Sequence, residues 1–409
     1  MRFHFIPALL ACSLLAAPLA AQLSLPQLPV PQPTTILDPV TGEVLDDVKA
    51  LERGALGEAR RLEKLRLERI ALLARRNIDI IELDAEGAPA RRGVLLVIDA
   101  RADQLEKART AGFQIGEKGT IAELDLPYVR LDIPNGITLA KAEKLLAQLM
   151  PGASISADNL HFASGSVVAA PAMTARSGSA RTSTPVGVVD GAPGSALPVR
   201  EIRGFAQGAP FPSNHGSAIV WLLNHAGATT VRVADVYGTD KAGGNALAIA
   251  KAIGWLVGRG SKVINISLVG PKNALVAKAI SQSQAKGVVI VAAVGNDGPA
   301  APPAYPASYP GVVSVTGVDR RNRALIEAGR ALHLDYAAPG ADIFGRNAKG
   351  QRMKLRGTSF ASALVSARLA FTDPGAWRSQ LDAEAIDLGK KGADAQYGRG
   401  LLCAACRPK

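Results

Sequence analysis

Val186-Gly187-Val188-Val189-Asp190-Gly191 is an apolar run that ends on a carboxylate and a glycine. A run of this length reads as a strand buried on both faces, and Asp190 then falls at its carboxyl end. Similar runs recur at residues 231–236, 263–268, 288–294 and 312–318, with helical stretches between or after them at 216–226, 246–259, 273–284 and 359–370. Apolar strands alternating with helices predict an α/β fold, a mostly parallel sheet with helices on both faces. Active sites on such sheets gather where the strands end.

Three residues carry chemistry there. Asp190 closes its strand, His215 opens a helix in Asn214-His215-Gly216-Ser217, and Ser359 opens another in Gly357-Thr358-Ser359-Phe360-Ala361-Ser362. A serine at a helix start has its backbone N–H free and the helix dipole behind it, both suited to a developing oxyanion. His215 could take the Ser359 proton and return it to a leaving amine, with Asp190 orienting the imidazole. Asn296, in Gly295-Asn296-Asp297-Gly298 just past another apolar run, could donate its side-chain amide to the same oxyanion. The order Asp, His, Ser matters, because the same trio stands in other orders on unrelated folds.

The chain has 409 residues, is 48% hydrophobic and carries a net charge of +12. This is room for two or three domains. Residues 1–21 hold Arg2, an apolar stretch and a closing Ala-Pro-Leu-Ala-Ala, the pattern of a secretory signal peptide, so the expected location is secreted or periplasmic. No later run approaches the ~18 apolar residues of a membrane span. From Thr184 onward there are 26 Lys and Arg against 14 Asp and Glu, so the later region carries the basic excess. Aromatics are only 4% of the chain and do not interleave with basic runs, which argues against nucleic acid as a partner. Cys403 and Cys406 permit a local disulfide in an oxidising compartment.

Residues 22–44 are Pro-rich and read as an extended linker, and 45–92 as a charged helical segment with a solvated surface helix. Residues 93–162 give strand, helix, two strands, helix and strand, a split β-α-β pattern of the ferredoxin-like α+β kind. Residues 163–184 are rich in Ser, Ala, Gly and Thr and read as a flexible, cleavable linker before the domain at 185–409.

On Asp190, His215, Asn296 and Ser359, residues 186–402 resemble the subtilisin-family (subtilase, peptidase family S8) serine proteases. The likeness continues in Val263-Ile264-Asn265-Ile266-Ser267-Leu268, Ala304-Tyr305-Pro306-Ala307, Tyr336-Ala337-Ala338-Pro339-Gly340 and Tyr397-Gly398-Arg399-Gly400-Leu401. It implies a subtilisin-like fold, a polypeptide substrate, and substrate contacts at Ser267, Leu268, Val269 and Ala304. It also implies that the domain at 93–162 is an inhibitory propeptide whose tail, near residues 156–162, lies across the cleft, with cleavage somewhere in 159–185. Four positions depart from the pattern. Gly191 replaces a Ser or Thr, His215-Gly-Ser-Ala lacks a second His, Ala363 stands where Pro is usual, and Val269 replaces a Gly on the pocket rim.

The expectation is therefore an exported serine endopeptidase, made as a self-processing zymogen and acting as a monomer. It requires no cofactor or metal for chemistry, and no Asp/Glu-rich loop has calcium-ligand spacing. The rivals are a catalytically silent subtilase-like domain that binds peptides or a partner, and an esterase.

Overall fold

The computed structural model describes residues 42–170 and 180–408. The expected signal peptide, the Pro-rich stretch up to residue 41 and residues 171–179 of the expected linker lie outside them. Seven strands form the central sheet, in the order Tyr336–Pro339, Val313–Val318, Val289–Ala293, Val263–Ile266, Val186–Asp190, Val231–Asp235 and Glu201–Gly204. Every neighbouring pair is parallel. Val186–Asp190 is the pivot, because the chain goes from it to Glu201–Gly204 and Val231–Asp235 on one side and then crosses to Val263–Ile266 on the other. Its carboxyl end is thus a topological switch point, where α/β sheets open a crevice.

Helices Ala246–Gly258 and Ala274–Ala285 cover one face, and Asn214–His225 and Thr358–Leu369 the other. Three begin on a side-chain cap: Ser213 accepts from the Gly216 N–H, Asn245 from Ala248, and Asn273 from Leu275 and Val276. The apolar runs of the sequence become these strands and helices with ends shifted by one or two residues. Cys403 and Cys406 are joined as a disulfide, with Cys403 packed under the Thr358–Leu369 helix.

The preceding domain is a β-α-β-β-α-β unit. Strands Ser154–Asn159, Pro89–Ile98, Leu126–Asp132 and Gln114–Ile121 lie side by side in that order, all antiparallel, with helices Ala102–Thr110 and Leu139–Leu149 on one face. Alternation along Pro89–Ile98 explains the layering. Leu95 and Val97 point into the domain's own core, whereas Leu96 and Ile98 join the core of the larger domain beside Ile253 and Leu275. Gly254 permits that approach, since a Cβ there would stand 2.3 Å from Ile121 Cγ2.

Two expectations are corrected. Residues 81–92, assigned to a charged helical segment, form strand Ile81–Leu83 and the start of Pro89–Ile98, because Asp84 accepts from the Glu86 and Ala88 N–H groups and Gly87 takes a positive φ, closing a turn that pairs the two antiparallel. The helix itself, Gly42–Arg76, is not simply solvated. Leu62 is buried against Gly298, and Arg69 meets Asp297 at 2.5 Å, so the helix lies on the loop that carries Asn296.

Candidate active site

Asp190, His215, Asn296 and Ser359 come together at the switch point. His215 Nδ1 lies 2.8 Å from Asp190 Oδ2 and 3.1 Å from Oδ1, and both side chains are buried. That pairing places the His215 proton on Nδ1 and leaves Nε2 as the base. Two glycines let the elements meet. A Cβ on Gly216 would fall 1.9 Å from the Gly191 carbonyl oxygen, and one on Gly191 would fall 2.5 Å from Ser213 Cβ.

The lack of a hydroxyl at Gly191 therefore does not leave Asp190 unsupported. The Gly191 N–H donates to Asp190 Oδ1 at 2.7 Å, and the space of a side chain belongs to Ser213, the cap of the His215 helix.

Ser359 is the second residue of the helix Thr358–Leu369 and is fully buried. Its Oγ donates to the Ser267 carbonyl at 3.1 Å, and among the described residues His215 Nε2 meets no hydrogen-bond partner. Thr358 fixes the neighbouring loop. Its Oγ1 accepts from the Gly295 N–H at 3.1 Å, and its own N–H donates to Asn296 Oδ1 at 3.1 Å, which aims the Asn296 amide N–H₂ into the cleft.

The cleft is filled by the chain itself. Phe162–Ala163 pairs antiparallel with Leu268–Val269, the Ser164 N–H donates to the Ser267 carbonyl at 3.3 Å, and the Ser359 N–H donates to the Ser164 carbonyl at 3.2 Å. Asn296 Nδ2 donates to Ser164 Oγ at 2.9 Å. A Cβ on Gly357 would come within 2.5 Å of Gly165 Cα and 3.0 Å of the Ser164 carbonyl oxygen, so only glycine there admits this backbone. Beyond it, Ser166–Ala169 adds antiparallel to Arg352–Arg356. Residues 163–170, expected as the start of a flexible, cleavable linker, are held by strand pairing and hydrogen bonds around Ser359.

Upstream, His161 is enclosed. Its N–H donates to the Gly244 carbonyl at 2.8 Å, its carbonyl accepts from Tyr237 Oη at 2.9 Å, and its ring lies over Gly270. Burial pushes the imidazole down to about 4, and neither ring nitrogen has a hydrogen-bond partner among the described residues. Asp158, buried in the strand Ser154–Asn159 that leads to the cleft segment, is pushed up to about 6 by burial despite the Leu247 N–H at 3.0 Å. Burial, with Asp190 nearby, also raises the Tyr237 phenol.

Of the four residues assigned to substrate contact, Ser267, Leu268 and Val269 meet this segment. Ser267 supplies the carbonyl, Leu268 and Val269 the strand, and Ala304 sits behind Gly295. Sequence reasoning missed Thr358, Tyr237, Gly244 and Phe360. Phe360 is fully buried with its ring 5.4 Å from that of His215. Among the described residues, no group of three or more His, Cys, Asp or Glu is arranged to hold a metal ion, and no helix is long and apolar enough to cross a membrane.

Such a sheet and such a site define a serine peptidase of the α/β class. The subtilase family model matches residues 213–400, and that part of the chain is a subtilase-family domain. Subtilisin DY of Bacillus licheniformis is 28% identical over 287 residues, covering 66% of this chain and 96% of its own. Subtilisin E of Bacillus subtilis is 27% identical over 325 residues, covering 70% and 83%. Among solved structures, fervidolysin from Fervidobacterium pennivorans, a keratinolytic enzyme related to subtilisin, superposes with a TM-score of 0.62 at 18% identity. The match takes in 78% of this chain and 61% of fervidolysin. The epidermin leader peptide processing serine protease of Staphylococcus aureus gives 0.56 at 16% identity, covering 76% and 96%. The fold is subtilisin-like.

Proposed function

We propose that this protein is an exported serine endopeptidase, made as a zymogen that cuts itself free of its N-terminal domain. Ser359 forms the acyl-enzyme, His215 acts as general base and then acid, and Asp190 holds the imidazole. Asn296 and the Ser359 N–H stabilise the oxyanion. The observation that carries the reading is the Ser359 N–H at 3.2 Å from the Ser164 carbonyl, beside a His215–Asp190 pair at 2.8 Å. A peptide carbonyl at that donor is positioned as a substrate would be.

Residues 93–162 serve as the inhibitory domain, and their packing on Ala246–Gly258 and Ala274–Ala285 supports that role. Residues 1–21 direct the chain out of the cytoplasm, to the periplasm or beyond, and the Cys403–Cys406 disulfide suits an oxidising compartment. The triad mechanism consumes only water and needs no cofactor, and the enzyme acts as a monomer on polypeptide.

One observation favours a second reading, a silent peptide-binding domain: Ser359 Oγ is hydrogen-bonded to Ser267 rather than to His215. Digestion of an unfolded protein by the purified wild type and by Ser359→Ala separates the two. Loss of digestion in Ser359→Ala is expected, whereas a wild type that binds unfolded protein without cutting it would favour the silent domain.

A further inference from the structure

The contacts that hold the chain across the cleft converge on one peptide bond, Ser164–Gly165. Ser164 is bonded through its N–H, its carbonyl and its hydroxyl, and the strand Ser166–Ala169 resumes immediately after Gly165. The environments on the two sides of the bond differ in a way that bears on which bonds can enter.

Before the bond, Val269 closes the pocket. Its two γ-carbons lie 3.1 and 3.4 Å from the point where a Cβ on Gly295 would stand, and Ala304 Cβ lies 3.8 Å from the same point. The valine side chain thus spans from its strand to the opposite wall. Ser164 Oγ reaches Asn296 Nδ2 at 2.9 Å and Thr358 Oγ1 at 3.4 Å, so a side chain of two heavy atoms already touches the wall. After the bond, Phe360 closes the space. A Cβ on Gly165 would stand 2.8 Å from Phe360 Cε2 and 3.4 Å from the Arg356 carbonyl oxygen. The Phe360 ring is fully buried beside His215 and has no room to give.

We propose that Ser164–Gly165 is the bond the enzyme cuts in its own chain, and that its substrates are polypeptides with a small residue before the cut and glycine after it. Val269 and Phe360 set the two limits. This rests on the proteolytic reading above. Ser359 Oγ bonds to the Ser164 carbonyl carbon, the bond from that carbon to the Gly165 nitrogen breaks, and His215 carries the Oγ proton to that nitrogen. Water then hydrolyses the ester, leaving a carboxylate on Ser164, a new amino terminus on Gly165 and the hydroxyl restored.

The test uses the full chain and ten-residue peptides spanning 160–169. Intact mass should give an N-terminal fragment ending at Ser164, absent from Ser359→Ala. Wild-type enzyme should cut the peptide with Ser or Ala at 164 on the order of 100-fold better in kcat/KM than the one with Phe. Val269→Gly should narrow that ratio at least tenfold, with Val269→Ala as a milder variant should the glycine fail to fold. Ala in place of Gly165 should slow cleavage, and Phe360→Ala should restore it.

Three results overturn the inference and leave proteolysis standing: an active enzyme whose fragment ends elsewhere, one that prefers Phe at 164, or one whose preference neither Val269 variant moves. A wild type that cuts neither itself, the peptides nor unfolded protein overturns the proteolytic reading as well.

Discussion

Asn296 donates its side-chain amide to Ser164 Oγ at 2.9 Å, not to the Ser164 carbonyl that the Ser359 N–H already holds at 3.2 Å. The Thr358 N–H on Asn296 Oδ1 fixes the amide beside this segment, where under the proposed mechanism it would serve the developing oxyanion. Interactions made only in the transition state act on kcat. Asn296→Ala should lower kcat by roughly 100- to 1,000-fold and leave KM within a few-fold. A loss confined to KM would show that Asn296 only binds substrate.

Leu62 is 7% exposed, resting on the glycine two residues past Asn296, whereas the neighbouring Arg69–Asp297 pair is open to solvent. Burial should outweigh the ion pair. Leu62→Ala should weaken the hold of the N-terminal region by about 2 kcal/mol and Arg69→Ala by less than about 1 kcal/mol. The lag between self-cleavage and the appearance of activity reads this out. It should shorten markedly for Leu62→Ala and hardly at all for Arg69→Ala.

Gly254→Ala should have opposite effects before and after maturation. In the precursor the new Cβ would meet Ile121 Cγ2 at 2.3 Å, so thermal unfolding of the uncut Ser359→Ala form should occur at lower temperature with the substitution than without it. Under the proposed maturation, release of the N-terminal domain would remove that neighbour. Alanine then stabilises the helix by up to ~1 kcal/mol and the melting temperature should rise. At Gly258 the facing atoms are the flexible Glu123 side chain, and the precursor should tolerate alanine better.

His161 and Asp158 predict a pH response through opposing terms. Docking favours neutral His161, whose value falls from 6.5 to about 4, so its contribution is present above 6.5 and lost as pH falls toward 4. Asp158 rises from 3.8 to about 6, so its contribution is full below 3.8 and lost as pH climbs through 6. Each displacement corresponds to roughly 3 kcal/mol. Docking should therefore change little between pH 4 and 6.5 in the wild type. His161→Leu should make it weaken with rising pH, and Asp158→Asn with falling pH, by up to about tenfold per pH unit. Equal pH slopes in all three proteins would contradict the opposition.

The catalytic sheet and its helices were legible because uninterrupted Val, Ile and Ala runs have few alternatives to a doubly covered strand. Asp190, His215, Asn296 and Ser359 were legible because each stands at the boundary of an apolar element. Ser166–Ala169 was not. Its small residues carry no apolar period, and its partner Arg352–Arg356 alternates charge with Met353 and Leu355. Leu62 is one leucine among several on a charged helix, and nothing local marks it as the one that is buried. At Gly191 the missing hydroxyl is visible in the motif, but the backbone N–H that supports Asp190 is not.

Covalent labelling with a fluorophosphonate, mapped by peptide mass spectrometry on the mature enzyme, tests the central claim most directly. A single adduct on Ser359, abolished in Ser359→Ala and strongly slowed in His215→Ala, is the predicted result. Labelling elsewhere, or a folded wild-type protein that takes up no label at all, would contradict Ser359 as the nucleophile.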